Sequence, residues 1–156
     1  MGKFAFLPAH ESDQARVIAT LVSAFIEDPV ERWLFPEPQQ YLTHFPAFVA
    51  AFGGEAFARE TVWTLGEFAA AAMWIPPGAE PDGETIIAVL GGCVAPEKCD
   101  ETFAVLEQMD EAHPRYPHWY LPWLGVDTGP GGGWSWQPVA EAVSGGRRRG
   151  SSACVP

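Results

Sequence analysis

The stretch His118–Trp134, HWYLPWLGVDTGPGGGW, decides how the chain is read. Up to Val126 it is dense in apolar and aromatic residues and has the character of a strand. From Asp127 it becomes a loop in which Gly129, Gly131, Gly132 and Gly133 fall within five residues. A strand that runs into glycines is a common way of presenting backbone N–H groups to a phosphate. Along the strand, alternation places His118, Tyr120, Pro122, Leu124 and Val126 on one face, with Trp119, Leu121 and Trp123 on the other.

Upstream, the chain alternates between strand and helix signals. Lys3 to Ala9 reads as a short strand, followed by Ser12 or Asp13 as a helix cap. Val17, Ile18, Leu21, Val22 and Phe25 form a helical stripe that should stop near Asp28-Pro29, since a residue before proline is pushed out of the helical region. A short turn or helix over VERWLFPEP is expected to end at Pro36 and Pro38. A longer helix follows, with Tyr41, Phe45, Phe48, Val49 and Phe52 on one face; Pro46 is expected to kink or begin it. Thr61 to Leu65 and Phe68 to Ile75 read as two strands around a tight turn. ETIIAVLGG is a short helix. Another begins at Pro96, with Phe103, Leu106 and Met109 at buried spacing. The order is β-α-α-β-β-α-α-β, an α/β domain with mixed strand pairing.

Composition narrows the function classes. A net charge of −11 argues against a nucleic-acid partner, which needs a basic face to displace counterions. It argues equally against electrostatic attachment to an anionic membrane. Cys93, Cys99 and Cys154 are irregularly spaced and histidine is scarce, so no metal site and no disulfide framework is expected. His113 and His118 lack the spacing of a metal pair. The first residues have no signal-peptide pattern and no apolar run approaches a membrane span, so the expected location is cytoplasmic.

From Thr128 the character changes. The last 29 residues contain no Leu, Ile, Phe, Tyr, Met or Lys, and they hold Arg147, Arg148 and Arg149 in a row. Such a stretch buries little core and is expected to be poorly ordered. The division is therefore residues 1–127 as one unit and 128–156 as a Gly/Arg/Ser-rich tail.

The strand order resembles the GNAT family of acetyl-CoA-dependent N-acetyltransferases. AFIEDPVERWLFPEP (Ala24–Pro38), AAAMWIPPG (Ala70–Gly78) and PHWYLPWLGVD (Pro117–Asp127) carry the resemblance. It implies a GNAT-like mixed sheet with helices on both faces. It also implies a fourth strand whose free edge holds the pantetheine arm and polarises the thioester carbonyl, a role that falls here to the main chain of Leu124, Gly125 and Val126. The co-substrate would be acetyl-CoA and the acceptor an amine, with no metal. His118 and Tyr120 are then candidates for proton relay, and Glu27, Asp28 and Glu31, with Trp33, Phe35 and Trp74, for the acceptor pocket.

After the strand the chain departs from the family. The pyrophosphate loop of pattern Q/R-x-x-G-x-G/A is replaced by TGPGGGWSW, in which Pro130 removes an amide and only Gly131, Gly132 and Gly133 can form an anion-binding nest. The expectation is a GNAT-like domain truncated after the fourth strand, its tail translated out of frame or otherwise foreign. Whether such a chain is an active enzyme is left open. The rival reading is an inactive remnant that binds or dimerises through the exposed sheet edge.

Overall fold

The structure is a computed structural model and describes residues 5–127. Gly131, Gly132, Gly133 and the whole tail 128–156 lie outside the described residues. The elements are β1 (Phe6–Pro8), α1 (Gln14–Ala24), α2 (Pro29–Leu34), α3 (Pro38–Gly53), β2 (Val62–Leu65), β3 (Ala70–Ile75), α4 (Gly83–Cys93), α5 (Pro96–Ala112) and β4 (Tyr120–Val126). A single turn of 3-10 helix, Glu11–Asp13, leads into α1.

The strands form one sheet in the order β1-β2-β3-β4. All three pairings are antiparallel, where mixed pairing was expected. The β2–β3 hairpin forms as the alternation requires, with Leu65 opposite Ala70 and a turn through Gly66 at positive φ. Glu67 and Phe68 also adopt positive φ, which keeps Phe68 out of the strand assigned to it from sequence.

Alternation sorts the sheet into two faces. Val62, Ala71, Met73 and Trp123 join one large core with α1 and α3, α4 adds Ile86 and Leu90, and α5 packs against it through Phe103 and Leu106. Leu65, Ala70 and Val126, with Phe6 and Leu124, form a second small cluster built from strand residues. The aromatic centre of the large core is a chain of edge-on contacts. Trp123 meets Phe25 at 5.2 Å and Phe45 at 5.6 Å between ring centroids, while Phe45 stacks on Tyr41 at 4.6 Å. Trp123 also donates from Nε1 to the Val49 carbonyl at 3.1 Å, so β4 is tied to α3 by a polar bond inside the apolar core.

Several boundaries differ from the sequence reading. α1 ends at Ala24, a turn ahead of the expected stop, and Asp28, extended as a residue before proline is, serves as the N-cap of α2, its Oδ1 accepting from the amides of Val30 at 2.9 Å and Glu31 at 3.2 Å. Pro38 opens α3 at its first turn, where a missing N–H costs nothing. Pro46 sits inside α3 without ending it; the residue four positions earlier, Leu42, is exposed, so solvent can take the carbonyl that Pro46 cannot bond. Met109 is exposed rather than buried, because the contacts of α5 with the core extend no farther along the helix than Leu106.

Candidate functional site

β4 is the last strand of the sheet, so among the described residues only β3 pairs with it. The ladder is regular from Val126 opposite Ala70 to Trp123 opposite Met73, then shifts, and Tyr120 lies opposite Ile75. Leu121 and Pro122 therefore face the single residue Trp74, which is the arrangement of a β-bulge. Trp74 commits its N–H to the Thr61 carbonyl at 3.1 Å, and its carbonyl accepts from the Thr61 hydroxyl at 2.5 Å. Both groups are turned toward Thr61, the residue just before β2. Pro122 has no N–H, so amide donation at the bulge falls to its neighbours.

The other end of β4 is held tightly by α1. A Cβ on Gly125 would stand 2.7 Å from the Ala24 methyl and 3.0 Å from Leu21, so only glycine lets strand and helix approach this closely. Asp127 fixes the exit of the strand, its N–H bonded to the Ala69 carbonyl at 2.8 Å and its Oδ1 accepting from Ser23 Oγ at 2.6 Å. Val126 is buried and Leu124 half-buried.

His118 precedes the strand, which begins at Tyr120, so His118 is not the strand-face residue that alternation suggested. Tyr120 and Gly125 are separated by roughly 16 Å of extended chain. The structure thus places the two proton-relay candidates at one end of β4 and Leu124, Gly125 and Val126 at the other; it does not bring them together around one atom. At its own end His118 has company that sequence reasoning missed. Its Nε2 lies 3.0 Å from Nε2 of His113, and its Nδ1 lies 2.7 Å from the Tyr116 carbonyl. The Tyr120 ring stands edge-on to His113 at 4.8 Å, and burial raises its phenol above the ordinary range. His113, the C-cap of α5, and His118 are five residues apart, and only the turn between α5 and β4 makes them neighbours.

The acceptor-pocket candidates are dispersed. Glu27 is exposed, Phe35 is fully buried in the aromatic core, and Trp33 and Trp74 are half-buried. Glu31, the third carboxylate named for the acceptor pocket, is only 7% exposed, and its Oε2 has no hydrogen-bond partner among the described residues. Burial first, and the negative charge of Asp28 second, raise its carboxyl to about 7. The same environment pushes up the Tyr41 phenol, whose hydroxyl donates to the Val22 carbonyl at 2.7 Å. A groove of about 560 Å³ lies between α3 and α4, with Ala47 and Ala50 in its wall and Glu55, Glu80 and Asp82 at its rim. It takes no residue from β4, and Asp82 is occupied in capping α4 through Thr85.

Among the described residues no group of three or more His, Cys, Asp or Glu is placed to hold a metal ion, and no helix is long and apolar enough to cross a membrane. No protein-family model matches the chain, and no curated protein matches it by sequence. One solved structure that is similar is described as histone acetyltransferase HPA2 and related acetyltransferase from Corynebacterium glutamicum ATCC 13032. The match has a TM-score of 0.55 at 21% identity and covers 95% of this chain and 72% of that one. At that identity the likeness carries architecture: the chain has a GNAT-like α/β fold.

Proposed function

We propose that the chain is an N-acetyltransferase that moves the acetyl group of acetyl-CoA directly onto an amine of a small molecule or peptide. The observation that carries this reading is the bulge at Leu121–Pro122 on a strand whose outer edge has no partner among the described residues. Backbone groups released from a ladder can bind a thioester, and preorganised amides stabilise the oxyanion that forms as an amine attacks its carbonyl. The C–N bond forms as the C–S bond breaks, and coenzyme A leaves as a thiolate that must take up a proton. His118 and Tyr120 precede the bulge and are the groups assigned to proton movement. The pantetheine arm would then run along Leu124, Gly125 and Val126 toward the glycines after Asp127. This keeps the arm where the sequence-based assignment put it and moves only the carbonyl, which that assignment had placed at the same three residues.

A second reading has its own observation: among the described residues β4 is an edge strand with a long apolar run, and such an edge pairs readily with another strand. In that case the chain is an inactive binding or dimerisation module. Thermal melting with and without acetyl-CoA, combined with thiol release over a panel of amines, separates the two. Ligand binding to the native state raises the melting temperature. A rise with acetyl-CoA plus amine-dependent thiol release is expected. No shift at millimolar acetyl-CoA, together with a dimer in sedimentation, overturns the transferase reading.

A further inference from the structure

The turn between α5 and β4 brings two imidazoles together in a way the function above does not require. The Tyr116 carbonyl can only accept, so neutral His118 holds its proton on Nδ1 and turns the Nε2 lone pair toward His113. This is the outer hydrogen bond that metal-ligating histidines usually make, an N–H given to a carbonyl that fixes tautomer and ring orientation. The distances agree with a shared ligand position. Two imidazoles bound to one ion at about 2.0–2.1 Å, with an N–metal–N angle of about 95°, hold their nitrogens about 3.0 Å and their ring centres about 4.7 Å apart. His113 and His118 show 3.0 Å between Nε2 atoms and 4.7 Å between ring centroids. Two rings meeting head to head along one hydrogen-bond axis would have centres farther apart than that, at about 5.3 Å for the same nitrogen separation.

We propose that His113 and His118 form a binding site for a divalent transition-metal ion of tetragonal preference, Cu(II) or Ni(II). The near-right angle at the convergence point favours that geometry over the wider tetrahedral angle of Zn(II). The ion takes the position now held by the His113 Nε2 proton, and that proton moves to Nδ1 of the same ring, so both imidazoles bind as neutral ligands. Water fills the other positions, since no third ligand of the usual kinds is grouped with the pair among the described residues. The ion would tie the end of α5 to the start of β4. If His118 serves acetyl transfer as proposed, occupation removes its lone pair and inhibits that reaction. Binding itself does not depend on that reading and is measured without it.

The test is titration of the full chain with Ni(II) alone, followed by calorimetry and by proton NMR of the imidazole resonances. One ion per chain is expected, with paramagnetic broadening concentrated on His113 and His118 and a rise in melting temperature with metal. His113→Asn and His118→Asn should each weaken binding at least tenfold, while His10→Gln leaves it unchanged. If a variant does not fold, the broadening pattern of the unmodified chain decides. Absence of saturable binding, broadening centred on His10 or His44, an unaltered affinity in His118→Asn, or loss of binding on thiol alkylation would each overturn the site.

Discussion

Replacing Glu31 with glutamine should change how the stability of this protein depends on pH, and the structure sets the size and sign. The carboxyl ordinarily titrates at 4.5 and is raised to about 7 in the folded chain. Between those values the unfolded chain has released the proton while the folded chain keeps it. Unfolding then releases a proton, and stability falls as pH rises, by about 1.4 kcal/mol per pH unit. The interval therefore removes about 3 kcal/mol, all of it lost by the time pH has passed through the folded value, and nothing further is lost above it. Glutamine cannot ionise, so it removes this slope. It leaves a neutral polar group in a site where Oε2 has no partner, which costs about 1–3 kcal/mol at every pH. Near pH 8 the variant should therefore be level with the parent or more stable by about 2 kcal/mol, and near pH 5, where the parent has lost only about 0.8 kcal/mol, level with it or less stable by about 2 kcal/mol. Urea or thermal melts of both chains across this range supply the difference at each pH, which cancels the titration of every other group. A constant difference from pH 5 to pH 8 would refute the reasoning and show that Glu31 titrates as an ordinary surface carboxylate.

Asp28→Asn keeps a good N-cap for α2 but removes the charge that is the smaller of the two causes acting on Glu31, so the same melts should show a shallower pH slope that does not vanish. Gly125→Ala places a methyl 2.7 Å from that of Ala24 at the α1–β4 contact, and urea midpoints should report a loss of about 1–3 kcal/mol; no loss would mean that α1 and β4 do not approach as described. Tyr41→Phe deletes the 2.7 Å bond to the Val22 carbonyl near the end of α1 while keeping a ring that is fully buried, so denaturation should show a loss of about 1 kcal/mol.

What the sequence determined by itself is what short-range pattern encodes. The stripe through Val17 and Leu21 predicts α1 and its buried face, and both residues are fully buried. The change to period two after Thr61 predicts the β2–β3 hairpin, and Pro96 predicts the first turn of α5. The apolar run before Asp127 predicts β4, three residues too early because Pro117 to Trp119 continue the composition without joining the ladder.

The rest belongs to contacts between elements that no spacing records. A six-residue helix is too short for periodicity to reveal its buried side, so nothing in the spacing sets Glu31 apart from Glu27 and Asp28, and only the packing of α2 beside Tyr41 shows it enclosed. The bulge at Leu121–Pro122 is a mismatch of register with β3 and does not exist in one strand taken alone. The five-residue interval between His113 and His118 fits no helical or strand repeat; their nitrogens meet because α5 ends and β4 begins where the core holds them. Local periodicity is written in each segment, whereas the docking of segments is a balance over the whole core, decided only once all of them are in place.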